Sequence, residues 1–164
     1  MIRIAPCSAN HAAGVAALIL PIQREEFGLP IALADQPDLL DLAGFYGRGA
    51  SRFWVALAGD DVVGTIALLD IGAGHGALRK MFVAKDHRGG AHGVAARLLD
   101  ALHAHARAAD LETIWLGTTA RFLAAHRFYE KHGYREVDKT ALPPAFPVMA
   151  VDTKFYARRL TPAT

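Results

Sequence analysis

The chain has a single cysteine, Cys7, so no internal disulfide can brace it, and a reducing, cytoplasmic setting is the simplest expectation. It also lacks a membrane-length apolar run. The longest, Ala12 to Ile22, is too short to cross a bilayer and has helical periodicity. Arg24-Glu-Glu follows it directly and Ala32-Leu-Ala34 lies far off, an arrangement that does not suit a secretory leader. Neither sign of charge dominates. With 18 Lys and Arg against 16 Asp and Glu, interleaved along the chain, no nucleic-acid-binding stripe is expected. The eight histidines include no His-Glu-x-x-His pattern, and His103 and His105 fall on different sides of a helix. No metal is expected, nor any membrane or nucleic-acid partner. Internal repeats and heptad arrays are absent too, which excludes solenoids and coiled coils.

What is present is apolar residue at regular spacing. The 164 residues are 52% hydrophobic, enough for one well-buried core, and we expect a single domain over residues 1–164. Ile2 to Ala5 reads as a first strand, and Ser8 as the cap of a helix carrying Val15, Leu18, Ile19 and Ile22 on one face, which Pro21 ends or bends. Asp35 and Pro37 announce a second helix to about Tyr46. Arg52 to Leu57 and Val62 to Ile71 form a hairpin through Ala-Gly-Asp-Asp, and another strand runs from about Gly76 to Ala84. A third helix buries Val94, Ala95, Leu98, Leu99, Leu102 and Ala106, with Asp110 suited to the left-handed turn after it. Thr113 to Thr118 is a strand, and a fourth helix stops at Gly133. Strands follow at Arg135 to Val137 and Val148 to Leu160, separated by the proline-stiffened loop Thr140 to Pro147.

The junction with most chemical content is Lys85-Asp-His-Arg-Gly-Gly-Ala-His-Gly-Val94, a glycine-rich turn after a strand and before a helix. Glycines let backbone N–H groups approach a ligand, and the first turn of a helix has N–H groups without internal partners, so such a junction can hold phosphate. Strand and loop together, Leu78-Arg-Lys-Met-Phe-Val83 and Arg88-Gly-Gly-Ala-His-Gly93, resemble the GCN5-related N-acetyltransferase (GNAT) family. Met81 and Val83 stand at the family's Leu-x-Val, and Ala91 replaces the usual first glycine of its Arg/Gln-x-x-Gly-x-Gly/Ala signature. Downstream, Phe122-Leu-Ala-Ala-His-Arg-Phe-Tyr-Glu-Lys-His-Gly-Tyr134 is similar to Asn-x-x-Ala-x-x-x-Tyr-x-x-x-Gly-Phe, with Ala125, Tyr129, Gly133 and Tyr134 in place and Phe122 at the Asn position.

The resemblance implies an α/β fold of the GNAT type. Its centre is a mostly antiparallel twisted sheet of six to seven strands, with a splayed parallel pair and about four flanking helices. It also implies acetyl-CoA as donor, CoA as product and a small-molecule primary amine or amino acid as acceptor, and it allows a homodimer. Cofactor contacts then fall on Met81, Phe82, Val83, Arg88, Gly89, Gly90, Ala91, His92, Gly93 and Val94, with His87 and His92 flanking the phosphates or standing as ordinary loop residues.

An amine attacks only when neutral, and the departing thiolate needs a proton. By carry-over that proton comes from Tyr129, which is otherwise an amphipathic core residue with its hydroxyl satisfied elsewhere. The base is open among Glu25, Glu26, Asp70, His75 and a water chain. Acceptor contacts are placed on Gln23, Glu26, Phe27, Lys80, Thr118 and Phe146. Strand alternation turns only one of Arg79 and Lys80 to a given side, and a cation in the acceptor pocket would favour an amine that carries a carboxylate. The alternatives are a catalytically silent acyl-CoA-binding domain, or acetylation of a protein N-terminus or lysine.

Overall fold

The computed structural model describes residues 1–89, 93–120 and 123–160. Its frame is a seven-stranded sheet in the order β1-β2-β3-β4-β5-β7-β6. The strands are β1 (Ile2–Pro6), β2 (Arg52–Ala58), β3 (Asp61–Gly72), β4 (His75–Val83), β5 (Thr113–Thr118), β6 (Arg135–Val137) and β7 (Lys154–Arg159). All neighbours run antiparallel except β4 and β5. β2 is buried on both faces, and its alternation divides the core. Trp54 and Ala56 face one side, whereas Phe53, Val55 and Leu57 face the other.

Helix α4 (Val94–Ala108) covers the first face, burying Val94, Leu98, Leu99, Leu102 and Ala106 at the spacing of one helical stripe. α5 (Leu123–Lys131) joins it through Tyr129. The second face carries α1 (Ala12–Pro21) through Val15 and Ile19, α2 (Pro37–Leu40) through Leu39, and α3 (Leu42–Tyr46) through Tyr46. Beyond them on this face, Ala77, Phe146 and Phe155 form a smaller cluster under the proline-rich loop.

Four local departures from the sequence-based expectation have physical causes. The helix expected from Pro37 to Tyr46 divides at Asp41, whose ψ of 74° is non-helical and whose carboxylate accepts from the Gly44 N–H at 3.0 Å as a new N-cap. Ser8 precedes a 3₁₀ turn, Ala9–His11, ahead of α1, and its N–H donates to His11 Nδ1 at 3.0 Å. Pro21 does close α1, but a single π-helical turn, Ile22–Glu26, follows it. The last strand starts at Lys154, since residues 148–153 are folded back by the Met149 N–H, which donates to the Asp152 carboxylate at 2.9 Å. Asp110 does take the left-handed turn after α4, at φ 60°.

The parallel pair positions everything that follows. β4 and β5 are joined only at His75↔Thr113, Gly76↔Ile114 and Ala77↔Trp115, after which the strands part. Just past that point β4 bulges, with Lys80 and Met81 together opposite Ile66 of β3. Lys80 adopts φ 51°, and its carbonyl accepts from Thr65 Oγ1 at 2.7 Å. A bulge bends its strand and sharpens the twist, which carries β4 away from β5.

Candidate active site

The notch between the parted strands has a different chemical lining on each face. Arg79 and Lys80 are neighbours in sequence, yet both point to the face of α1 to α3, because the bulge suspends the alternation that would separate them. The Arg79 guanidinium carbon lies 5.4 Å over the Phe45 ring, and Nη2 is 3.9 Å from Met149 Sδ. Lys80 Nζ donates to Gln36 Oε1 at 2.6 Å and sits 3.7 Å from Asp38 Oδ1, with only 8% of its side chain exposed. Expecting one of the two to turn away was therefore wrong.

Lys80 belongs to a buried polar network that joins three segments. Gln23, in the π turn, and Gln36 exchange two amide hydrogen bonds of 2.9 Å. Asp38 accepts from the Tyr46 hydroxyl at 2.6 Å. Burial lowers the Lys80 pKa while Asp38 opposes the shift, and burial raises the Tyr46 phenol. The wider π turn swings Gln23 inward to this network, so Gln23 is a buried support for Lys80.

Of the remaining residues expected on the acceptor side, Phe27 and Phe146 lie on the face of α1 to α3, whereas Thr118, one position past Gly117, is turned by strand alternation to the face of Leu116 and Tyr129. Phe27 packs on Phe82 with ring centroids 6.2 Å apart, and Phe146 is buried against Phe155 at 6.3 Å. Thr118 closes β5, its carbonyl accepting from the Thr153 N–H at 2.9 Å. Glu26 is committed elsewhere. Arg88 Nη1 and Nη2 donate to its two oxygens at 2.6 and 2.9 Å, and these hydrogen bonds hold its carboxyl below the usual range.

Among the other base candidates, His75 Nδ1 accepts from Trp115 Nε1 at 3.0 Å, and Asp70 accepts from the Ala50 and Gly72 N–H groups. Glu25 is exposed. The residue that reasoning from the sequence missed is Asp152. A Cβ on Gly117 would lie 2.6 Å from its Oδ2, so its carboxylate rests directly on the β5 backbone beside the notch. Burial raises its pKa, against the pull of the Met149 N–H and of Arg79. A lone glycine inside a strand is the sequence signal that something approaches closely there.

At the other end of β4 stands the glycine loop. Met81 and Val83 pack into the α4-side core and Phe82 into the α1-side core, while Val94 is 1% exposed at the start of α4. Arg88 Nε also donates to the Val83 carbonyl at 2.8 Å, which ties the loop to the strand end. Gly89 is exposed at φ 65°, with open space where a Cβ would be. Gly93 precedes α4 at φ 54°, a left-handed conformation in which a side chain would be strained. His87 Nδ1 is buried without a hydrogen-bond partner among the described residues, an atom that a ligand or water would complete. Gly90, Ala91, His92 and Phe122 lie outside the described residues. The open space at Gly89, the first-turn N–H groups of α4, which have no intrahelical partners, and this nitrogen fit a phosphate-bearing cofactor.

Tyr129 lies on the opposite face of the sheet from Arg79, 6% exposed, against Tyr134 and Tyr156 at 5.8 and 6.2 Å. Tyr156 is the β7 partner of Leu116 in β5. The Tyr129 hydroxyl makes no hydrogen bond with any described residue, whereas its neighbours are satisfied: Tyr156 donates to Glu130 at 2.7 Å, and Tyr134 meets His103 at 2.8 Å. Burial raises the Tyr129 pKa, so the phenol keeps its proton across the neutral range.

A sheet with one splayed parallel pair, a glycine-rich connection between β4 and α4, and a buried phenol on the next helix make up an α/β architecture of the acyltransferase type. The family model described as the acetyltransferase (GNAT) family matches residues 17–134, and the chain belongs to that family. An acetyltransferase of the same family from Staphylococcus aureus superposes with a TM-score of 0.93 at 34% identity, covering 98% of this chain and all of that one. The N-acetylaspartate synthetase of Danio rerio is 34% identical over 105 residues, 63% of this chain but only 36% of that protein. The N-acetylglutamate synthase of Neisseria gonorrhoeae, complexed with coenzyme A and N-acetyl-glutamate, shares the fold with a TM-score of 0.75 at 17% identity; the match covers 99% of this chain and 36% of that one.

Proposed function

We propose that this protein transfers the acetyl group of acetyl-CoA to the primary amine of a small molecule or amino acid, by direct attack of the amine on the thioester. The observation that carries the reading is the notch itself. β4 and β5 stop pairing after Ala77↔Trp115, and the unpaired end of β4, residues 78–83, precedes the glycine-rich connection to α4 in the chain. An extended chain laid in that notch can pair with strand-edge amides, while its phosphates reach the N–H groups at Gly93 and Val94.

Acetyl-CoA supplies the activated acyl group, and the protein's residues orient it and move protons. Gly89, Gly93 and Val94 cradle the phosphates, with Gly90, Ala91 and His92 assigned to the same loop. Met81, Phe82 and Val83 line the approach along β4. Arg88, already bonded to Glu26 and Val83, shapes the loop more than it grips the ligand. Tyr129, with its free hydroxyl and retained proton, donates to the leaving sulfur.

Thiol release from acetyl-CoA, screened over amines, tests this reading. Tyr129→Phe keeps the ring and should lower kcat by about a hundredfold or more while the KM for acetyl-CoA changes little. Wild-type kcat in that variant would remove Tyr129 from the mechanism. Binding of acetyl-CoA without turnover of any amine would leave a silent binding domain instead.

A further inference from the structure

Two charges at the mouth of the notch have no ion-pair partner within contact distance among the described residues. Arg79 and Gly117 are the first positions beyond the last parallel pair, Ala77↔Trp115, that share the acceptor face. Arg79 is present as a side chain, and the space over Gly117 is filled by Asp152. Both converge on Met149, which touches Arg79 through its sulfur and holds Asp152 through its backbone N–H. Yet Arg79 and Asp152 are not ion-paired with each other or with any other described residue. The adjacent cation, Lys80, is by contrast paired with Asp38 and hydrogen-bonded to Gln36. Half-buried charges left open at a site are held there at a cost in folding stability unless a ligand completes them. A guanidinium fork matches a carboxylate, and a carboxylate matches an ammonium group.

We propose that the acceptor is an amino acid or similar amine bearing a carboxylate, that Arg79 binds this carboxylate, and that Asp152 takes a proton from the ammonium group. The proposal rests on the acetyltransferase reading above. The ammonium gives one proton to Asp152, and the freed lone pair forms the C–N bond to the thioester carbonyl as the C–S bond breaks. The nitrogen loses its second proton as the product forms. One proton ends on the CoA thiol, and the other passes from Asp152 to water.

The test is thiol-release kinetics at saturating acetyl-CoA with glycine, L-aspartate, L-glutamate and L-methionine, each beside the amide in which every carboxylate is a carboxamide and the amine in which every carboxylate is replaced by hydrogen. At least one free acid should exceed both of its matched amines in kcat/KM by about tenfold or more, the worth of one well-placed charged contact. Arg79→Gln should reduce that ratio to about twofold, through KM for the acid, and Arg79→Lys should restore part of it. Asp152→Asn should lower kcat by about a hundredfold. Melting of each variant with and without acetyl-CoA shows that it folds and still holds the donor. Equal use of matched amines, or a ratio that survives Arg79→Gln, overturns the carboxylate assignment, and wild-type kcat in Asp152→Asn overturns the proton step. If the panel is inert but a lysine peptide is acetylated, this proposal falls and the enzyme reading stands. If no amine at all releases thiol, the enzyme reading falls with it.

Discussion

His103 is 3% exposed, with Nε2 2.8 Å from the Tyr134 hydroxyl and Nδ1 3.3 Å from Arg158 Nη1. A guanidinium can only donate, so Nδ1 accepts and Nε2 carries the proton toward Tyr134. The ring is thus held neutral. Burial, then the charges of Arg158, Arg107 and His132, depress its pKa from 6.5 to about 4. The unfolded chain therefore binds one more proton than the folded one between about pH 4 and 6.5. This group's contribution is complete above that window and is lost as pH falls through it, with a full size of about 3 kcal/mol. We expect urea unfolding between pH 4.5 and 7.5 to show stability rising with pH, and His103→Gln to flatten the rise. Equal slopes in the two proteins would remove His103 as the cause. At Cys7 burial pushes the thiol up to about 11, so the lone cysteine is a poor nucleophile at neutral pH.

The β4 bulge and the segments packed on it act as one element. Lys80 in the bulge, Gln23 in the π turn, Gln36 before α2, Asp38 in α2 and Tyr46 in α3 are joined by short hydrogen bonds, and Asp38 is 2% exposed. A buried pair of this kind adds little over a well-packed apolar pair, but removing one charge strands the other. Asp38→Asn should cost about 3–5 kcal/mol, and Lys80→Met in the same chain should recover most of it. Denaturant titration of the four proteins of the cycle measures this, and additive losses would mean that the two side chains are independent. Little of this element was legible in the sequence. The bulge contains no glycine to betray it, since Lys80 is held at φ 51° by the Thr65 hydroxyl from another strand. The π turn after Pro21 and the break at Asp41 likewise depend on what those residues meet in the fold. The hairpin of β2 and β3, the stripe on α4 and the turn at Asp110 were legible, because each is written in residues close together in the chain.

At the scale of the whole molecule, the sheet separates two tasks. The face of α1 to α3 gathers the charges that would read an acceptor, the other face holds Tyr129, and the notch between β4 and β5 connects them, with β4 leading on in the chain to α4. The glycine loop and Tyr129 were read from the family resemblance, whose motifs are short in sequence, whereas Asp152 and Arg79 both reach Met149 only because the last loop folds back over β5, across a separation that no motif spans. If the notch and the loop hold acetyl-CoA in the native state alone, the ligand must raise the melting temperature by mass action. At about a hundredfold excess over Kd the gain is about 2.7 kcal/mol, which for a domain of this size is roughly 5–10 °C. Gly93→Glu should lower the melting temperature of the free protein by straining φ 54°, and it should also abolish the increment by setting a negative charge against the phosphates. Gly93→Asn tolerates the left-handed backbone without adding charge, so it should keep part of the increment. Melting curves with and without millimolar acetyl-CoA separate the two effects: an unchanged wild-type curve would overturn the cofactor assignment, and a full increment in Gly93→Glu would move the phosphates away from the start of α4.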